Sequence, residues 1–208
     1  MSPLAAKKRS ERRPEDRRVE ILDAAVKVFV DKGFTEATVA DITTAAGVAK
    51  GTFYLYFESK EHLLGALKER LVDEMTARVI AYHGRLGQDD WWGLIDGMLE
   101  ELIDYTFDQR DLVFIFVREP FGAKTLEIFQ TSEKRMNEMF ADGIRRGVEA
   151  GVFDVDDPEA TAVLLHHALD GALLEALVYS PELDKERIKA SSKQLVRKVL
   201  APPHWIQG

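Results

Sequence analysis

GFTEATVADITTAAGVAKGTFYLYFESKEHLL, residues 33–64, is the stretch on which the reading of the whole chain turns. Gly33 follows the apolar repeat Ile21, Ala25, Val28, Phe29, at the place where a helix commonly stops in the left-handed conformation. Thr38 then precedes Val39-Ala40-Asp41, an N-cap with an acidic side chain three residues on, Asp standing in for the usual Glu of a capping box. The helix it starts reaches only about Ala46. Gly47 supplies the turn, and residues 48–57 form a second short helix bounded by Glu58 and Ser59. Two short helices joined around a glycine, the first capped by threonine, are the signature of a helix-turn-helix. Ile42, Ala46, Val48 and Phe53 pack the pair together, which turns Lys50, Thr52, Tyr54 and Tyr56 outward. Such a helix fits a major groove: lysine meets phosphate or guanine O6/N7, hydroxyls donate to phosphate oxygens, and Gly51 lets the backbone come close.

Outward from this stretch the apolar spacing is helical almost everywhere. Helix one is expected at about residues 16–32, and Ser59 caps a long helix with Leu63, Leu64, Leu67, Leu71 and Met75 that reaches roughly Tyr82. Beyond a loop at 84–90, Trp91, Ile95, Met98 and Leu102 mark another helix. The run Leu112–Val117 is too short for periodicity to decide, but a lone strand would leave its ladder unpaired, so helix is expected. Pro120 suits a helix first turn, and Phe129, Met136, Phe140, Ile144 and Val148 carry a long helix to Gly151. Asp157-Pro158 opens the next, apolar on two faces: Val163, Leu164, His167, Gly171, Leu174 and Val178 on one, Ala162, Leu165, Leu169, Leu173 and Ala176 on the other. One chain covers one face, so the other is expected to meet a partner chain, together with the last helix near 184–200 and its Ile188, Leu195 and Val199. The expected fold is all-α: a basic arm and three-helix domain at 1–58, then a helical ligand-binding and dimerisation domain at 59–208.

Composition sets the outer bounds. The 208 residues are 46% hydrophobic, too apolar for disorder, and contain no cysteine, which removes disulfides, thiolate metal sites and cysteine nucleophiles. The first 18 residues lack the apolar run of a signal peptide, and no uninterrupted apolar stretch spans a bilayer, so a soluble cytoplasmic protein is expected, without membrane partners. The net charge of -8 argues against nucleic acid only until its distribution is read. Residues 1–18 are locally +4 through Lys7, Lys8, Arg9, Arg12, Arg13, Arg17 and Arg18, residues 1–62 are +1, and residues 63–208 carry -9. A basic arm beside a helix-turn-helix is expected to touch DNA phosphates.

The same residues resemble the N-terminal domain of the TetR family of bacterial transcription regulators. The resemblance covers roughly 17–68 and includes Ala24-Ala25, Phe29, Gly33-Phe34, Thr38, Ile42, Ala46-Gly47-Val48, Lys50-Gly51, Tyr54, Phe57, Lys60-Glu61 and Leu63-Leu64. It implies phosphate contacts at Thr38, Tyr54, Tyr56 and Lys60 and a groove-facing set of Lys50, Gly51, Thr52 and Leu55. It also implies a repressor that binds a palindromic operator as a homodimer and leaves it when a small effector binds. Two residues depart from the family pattern: Thr43-Thr44 stands where alanine-like residues are usual, and Tyr56 where His is frequent.

The remaining candidates each have a plainer reading. Phe53 and Phe57 are core, while Tyr54 and Tyr56 have two readings, groove or core. Met98, Leu102, Phe114, Phe129, Met136 and Phe140 are first of all core residues, but so many large apolar groups also suit a cavity for a hydrophobic effector, with Arg118 and His167 as its polar anchors. Val163, Gly171, Leu174, Val178, Ile188, Leu195 and Val199 are assigned to the dimer interface. His166-His167 with Asp170 has metal-ligand spacing, yet no further ligand lies nearby in sequence, so no metal and no cofactor are expected. The chain lacks a Gly-rich phosphate loop, a G-x-S-x-G elbow and H-E-x-x-H, and its seven serines have no readable His and Asp company. An enzyme with an unrecognised site, or a helical adaptor that no longer binds DNA, are the alternatives.

Overall fold

Capping chemistry and apolar periodicity between them account for where each helix starts and stops. The computed structural model describes residues 14–83, 90–118, 123–180 and 182–201. Arm residues Lys7, Lys8, Arg9, Arg12 and Arg13, residues 84–89 of the loop expected at 84–90 and the expected helix start at Pro120 lie outside them. Among the described residues there are nine α-helices and no strand: α1 Pro14–Lys32, α2 Val39–Ala46, α3 Lys50–Tyr54, α4 Lys60–His83, α5 Trp91–Asp108, α6 Arg110–Arg118, α7 Ala123–Glu149, α8 Pro158–Leu174 and α9 Lys185–Leu200. One π-helical turn, Glu175–Tyr179, continues α8. The run 112–117 is therefore helical, inside α6.

The capping box at α2 is complete. Asp41 N donates to Thr38 Oγ1 at 3.1 Å and Thr38 N donates to Asp41 Oδ2 at 3.0 Å. Lys32 Nζ donates to Asp41 Oδ1 at 2.6 Å, and this bond, followed by those from Thr38, lowers the Asp41 carboxyl to about pKa 2. Because the folded value lies below the unfolded one, the stabilisation is full above about pH 4 and is lost as pH falls through 2. At the other end Gly47 sits at φ +64°, where a Cβ would be strained. Its N–H bonds to Thr44 O while Val48 N reaches back to Thr43 O, a Schellman closure. The unusual Thr43 is buried and satisfied, its Oγ1 donating to Ala40 O at 3.1 Å.

α3 is shorter than the expected 48–57. Ala49 is extended at φ -73°, ψ 150°, and past Tyr54 the chain tightens into i→i−3 bonds, Leu55 N to Thr52 O and Tyr56 N to Phe53 O. α8 starts as expected, with Asp157 capping Ala160 N and Pro158 in the first turn.

The helices divide into two compact units, Met1–Lys68 with Asp111–Glu127, and Glu69–Arg110 with Ile128–Gly208. The sequence suggests a cut after residue 58; here α4 and α7 each run from one unit into the other. In the first unit Phe29, Ile42, Phe53, Phe57, Leu63 and Leu67 are buried. In the second, Leu99, Leu102, Ile103, Ile144, Leu169, Leu173, Ile188 and Val196 form one core. Ile188 thus belongs to the interior and not to an outward face: α9 turns the i, i+4 stripe Ile188, Val196, Leu200 inward and leaves Leu195 and Val199 outside. Gly147 admits close packing, since a Cβ there would stand 2.0 Å from the Phe153 ring, which is edge-on to Trp91 at 5.7 Å.

α5 and α9 are also joined by a ladder of ion pairs. Asp96 meets Arg197 at 2.6 Å, Glu100 meets Lys193, and Asp104 meets both Lys185 at 2.7 Å and Lys189 at 2.8 Å. Burial raises the Asp104 carboxyl, but the two ammonium groups outweigh it and hold it below the ordinary carboxylate value.

Candidate nucleic-acid interface and cavity

Phe53 is fully buried, and one residue further on Tyr54 is 51% and Leu55 80% exposed. Leu55 closes α3, whose opposite side anchors the core through Phe53, and with Tyr54 it forms an exposed apolar pair. Lys50 and Gly51 are exposed beside it, with Thr52 and Tyr56 half-buried. No heavy atom lies within 4 Å of a Cβ built on Gly51, so close approach from outside is open. The structure thus brings Lys50, Gly51, Thr52, Tyr54, Leu55 and Tyr56 onto one small helix and the turn that follows it.

Thr38 and Lys60 have other work. The single Thr38 hydroxyl hydrogen is donated to Asp41 Oδ2 at 2.7 Å. Lys60 Nζ donates to the carbonyls of Phe34, Thr35 (3.1 Å) and Ala37 (2.8 Å) and lies 4.4 Å from the Phe34 ring centroid. An ammonium has three hydrogens, and three carbonyls take them. Lys60 therefore ties the start of α4 to the turn ahead of α2, a structural role that competes with the expected phosphate contact. Lys60→Ala should cost ~1.5–3 kcal/mol in a denaturant melt and leave the slope of log affinity against log salt unchanged. A slope flattened by ~1 at unchanged stability would restore the phosphate role.

Within the second unit lies a cavity of about 670 Å³, walled by α4, α5, α7, α8 and α9. Met98, Leu102 and Phe140 are on its wall. Phe129 and Met136 are not, and Phe114 belongs to the other unit. His167 is exposed; its neighbour His166, 5% exposed and 5.3 Å from the Phe140 ring, lines the cavity instead. The Arg118 side chain lies outside the described residues. Ser191 and Ser192 add hydroxyls that the sequence reading missed, because nothing in the α9 pattern distinguishes a serine at a cavity from one in water.

Of the residues assigned to a dimer interface, Val163, Gly171, Leu195 and Val199 are exposed, Leu174 and Val178 half-buried and Ile188 interior. Leu164, 71% exposed on the same helix, joins the outward set.

Residues 21–67 match the tetR family of bacterial regulatory proteins, and residues 123–201 match the C-terminal domain of BetI-type transcriptional repressors. The helix-turn-helix regulator YfiR of Bacillus subtilis is 30% identical over 209 aligned positions, which cover 96% of this chain and 98% of that one. The chain belongs to the TetR family of bacterial transcription regulators. Solved TetR-type structures share its fold: a transcriptional regulator from Syntrophomonas wolfei has a TM-score of 0.80 at 22% identity, covering 89% of this chain and 95% of that one. SmeT, the repressor of the Stenotrophomonas maltophilia multidrug efflux pump SmeDEF, has 0.73 at 21%, covering 89% and 91%, and is also known as a complex with triclosan. In TetR-family terms, α2 and α3 are this chain's helix-turn-helix, with α3 its second, short helix.

Proposed function

We propose that two copies of this regulator sit on an inverted repeat as a repressor in the cytoplasm, each laying α3 in a major groove, and that a small apolar molecule in the second-unit cavity releases them. The observation that carries the DNA reading is the exposed set Lys50, Tyr54 and Leu55, on α3 and the residue that closes it, backed by the buried Phe53. Pairing of two chains is supported by α8: the segment Pro158–Tyr179 is apolar enough to cross a membrane by length and composition, yet only 28% of its most apolar window is buried within one chain. Exposed Glu159, His167, Asp170 and Glu175 interrupt that surface, which suits a second copy better than lipid. Two recognition helices on a palindrome stand ~34–36 Å apart per DNA turn.

An effector shifts this equilibrium only by its differential affinity for the DNA-bound and released arrangements. α4, which starts in the first unit and continues in the second, is the element offered for that coupling. The cavity wall favours a largely hydrophobic effector held by a few polar groups, His166, Ser191 and Ser192. The SmeT complex with triclosan supports a ligand of that character.

Selection of duplexes from a random pool by the full chain tests the reading. An inverted repeat should emerge, and Lys50→Ala should relax preference at one position per half-site by ~1–3 kcal/mol. Recovery of unrelated duplexes, bound alike by the wild type and the variant, would reject it.

A further inference from the structure

With α3 in a major groove, the bases beneath it are met by side chains of two chemical kinds. Lys50 and Tyr54 stand four residues apart and share one side of the helix, with a cation and a hydroxyl to offer. Gly51 and Leu55 also stand four apart and share the neighbouring side, because the α conformation continues through Leu55 at φ -74°, ψ -23°. That side is bare at one end, where a Cβ built on Gly51 meets no heavy atom within 4 Å, and at the other it ends in an alkyl group 80% exposed. The turn is held from behind. Phe53 is 0% exposed, Phe57 N donates to Phe53 O at 2.9 Å, and the Phe53 ring is edge-on to that of Tyr54 at 5.3 Å. Leu55 therefore combines a fixed backbone with a side chain turned outward.

We propose that Leu55 selects thymine, packing on one thymine C5-methyl group in each half-site. The contact rests on the reading of α3 as a groove helix and adds the base that this helix prefers. In the major groove guanine shows acceptors, cytosine an amino donor, adenine an acceptor and a donor, and thymine an acceptor and a methyl group. Leucine has no hydrogen to donate and no lone pair to accept with, so the methyl is what gains by meeting it. Laid over the other base edges, the same side chain strips water from a donor or acceptor and gives nothing back, which makes it a device for rejection as well. Gly51 brings the backbone near enough for a short alkyl side chain to reach the groove floor. From Lys50 to Leu55 the helix advances ~7.5 Å at ~1.5 Å per residue, against ~3.4 Å per base pair of DNA. The thymine is therefore expected within about three base pairs of the position that Lys50 reads.

The test takes the inverted repeat selected by the full chain and replaces its thymines by deoxyuridine, one position at a time and in both half-sites together. Only the methyl is lost; base pairing and the polar edge stay the same. At one thymine per half-site, affinity should fall about fourfold for each buried methyl removed, about 15-fold for the symmetric change. Leu55→Ala should bind the thymine duplex more weakly than the wild type does, and should bind thymine and deoxyuridine duplexes within about twofold of each other. Its melt should not move, because residue 55 is exposed. Lys50→Ala should keep the full methyl effect, since it acts on another base. A half-site without a methyl-sensitive thymine, or a methyl effect that persists in Leu55→Ala, would overturn the contact and leave the groove helix in place. So would a Leu55→Ala variant as tight on the thymine duplex as the wild type, because Leu55 would then be covered by something other than DNA. A selection that returns no repeat would remove the groove helix itself, and the thymine contact with it.

Discussion

Phe53→Ala is expected to abolish operator binding by unfolding the first unit, even though residue 53 faces away from the groove. Phe53 is 0% exposed and its ring lies 5.6 Å from that of Phe57, which is 1% exposed. Truncating such a ring to a methyl group leaves a cavity in a small core, at ~3–5 kcal/mol. A unit of this size has little more than that in reserve. The measurement pairs a thermal melt with fluorescence anisotropy on labelled duplex over a range of temperatures below the wild-type transition. Binding within twofold of wild type would show that α3 is held by something other than its aromatic anchor. Leu55→Ala is the matched control: the residue that closes the same helix, no buried ring, an unchanged melt and a loss confined to DNA.

The second large effect lies on the outward side of α8 and α9. Leu164 is 71% exposed in the single chain and off the cavity wall, so an arginine there fits the monomer without strain. Against a second copy it would bury an unpaired charge, at ~3–5 kcal/mol per site. Leu164→Arg should therefore give a folded monomer by sedimentation. Its affinity for the inverted repeat should fall by two orders of magnitude or more, since the second half-site is no longer engaged at high effective concentration. Affinity for an isolated half-site should stay the same. A variant that still sediments as a dimer with wild-type affinity places the pairing surface elsewhere.

The helix-turn-helix is legible in the sequence because its determinants are local. A threonine cap, an aspartate three residues on and a glycine at the turn need only neighbouring backbone, and the structure shows each bond they imply. Helix faces are legible for the same reason wherever one stripe is apolar, as in Ala162, Leu169, Leu173 and Ala176 of α8. Misreadings arise where distance in sequence decides. Lys60 looks free because the carbonyls that take its hydrogens lie 23 to 26 residues away. Ile188 and Leu195 lie within about 20° of each other around α9, yet Ile188 is buried and Leu195 stands on the half-open cavity wall, because burial here is set by what α9 meets along its length and not by its face. His167 and His166 cannot be ranked from sequence, because a pair of adjacent histidines gives no sign of which one turns inward.

The paired charges of α5 and α9 have a mechanical consequence. Acids at 96, 100 and 104 face bases at 197, 193, 189 and 185, so the rungs repeat every four residues on both helices. Four residues advance a helix by ~6 Å. A slide of α9 along α5 by half that distance would break every rung at once, while a tilt or a roll about the ladder would keep them. The contact behaves as a rack engaged with its pinion: it resists axial creep, permits rocking and allows translation only in whole teeth. An effector that moves α9 against this ladder is expected to change its angle more than its axial position.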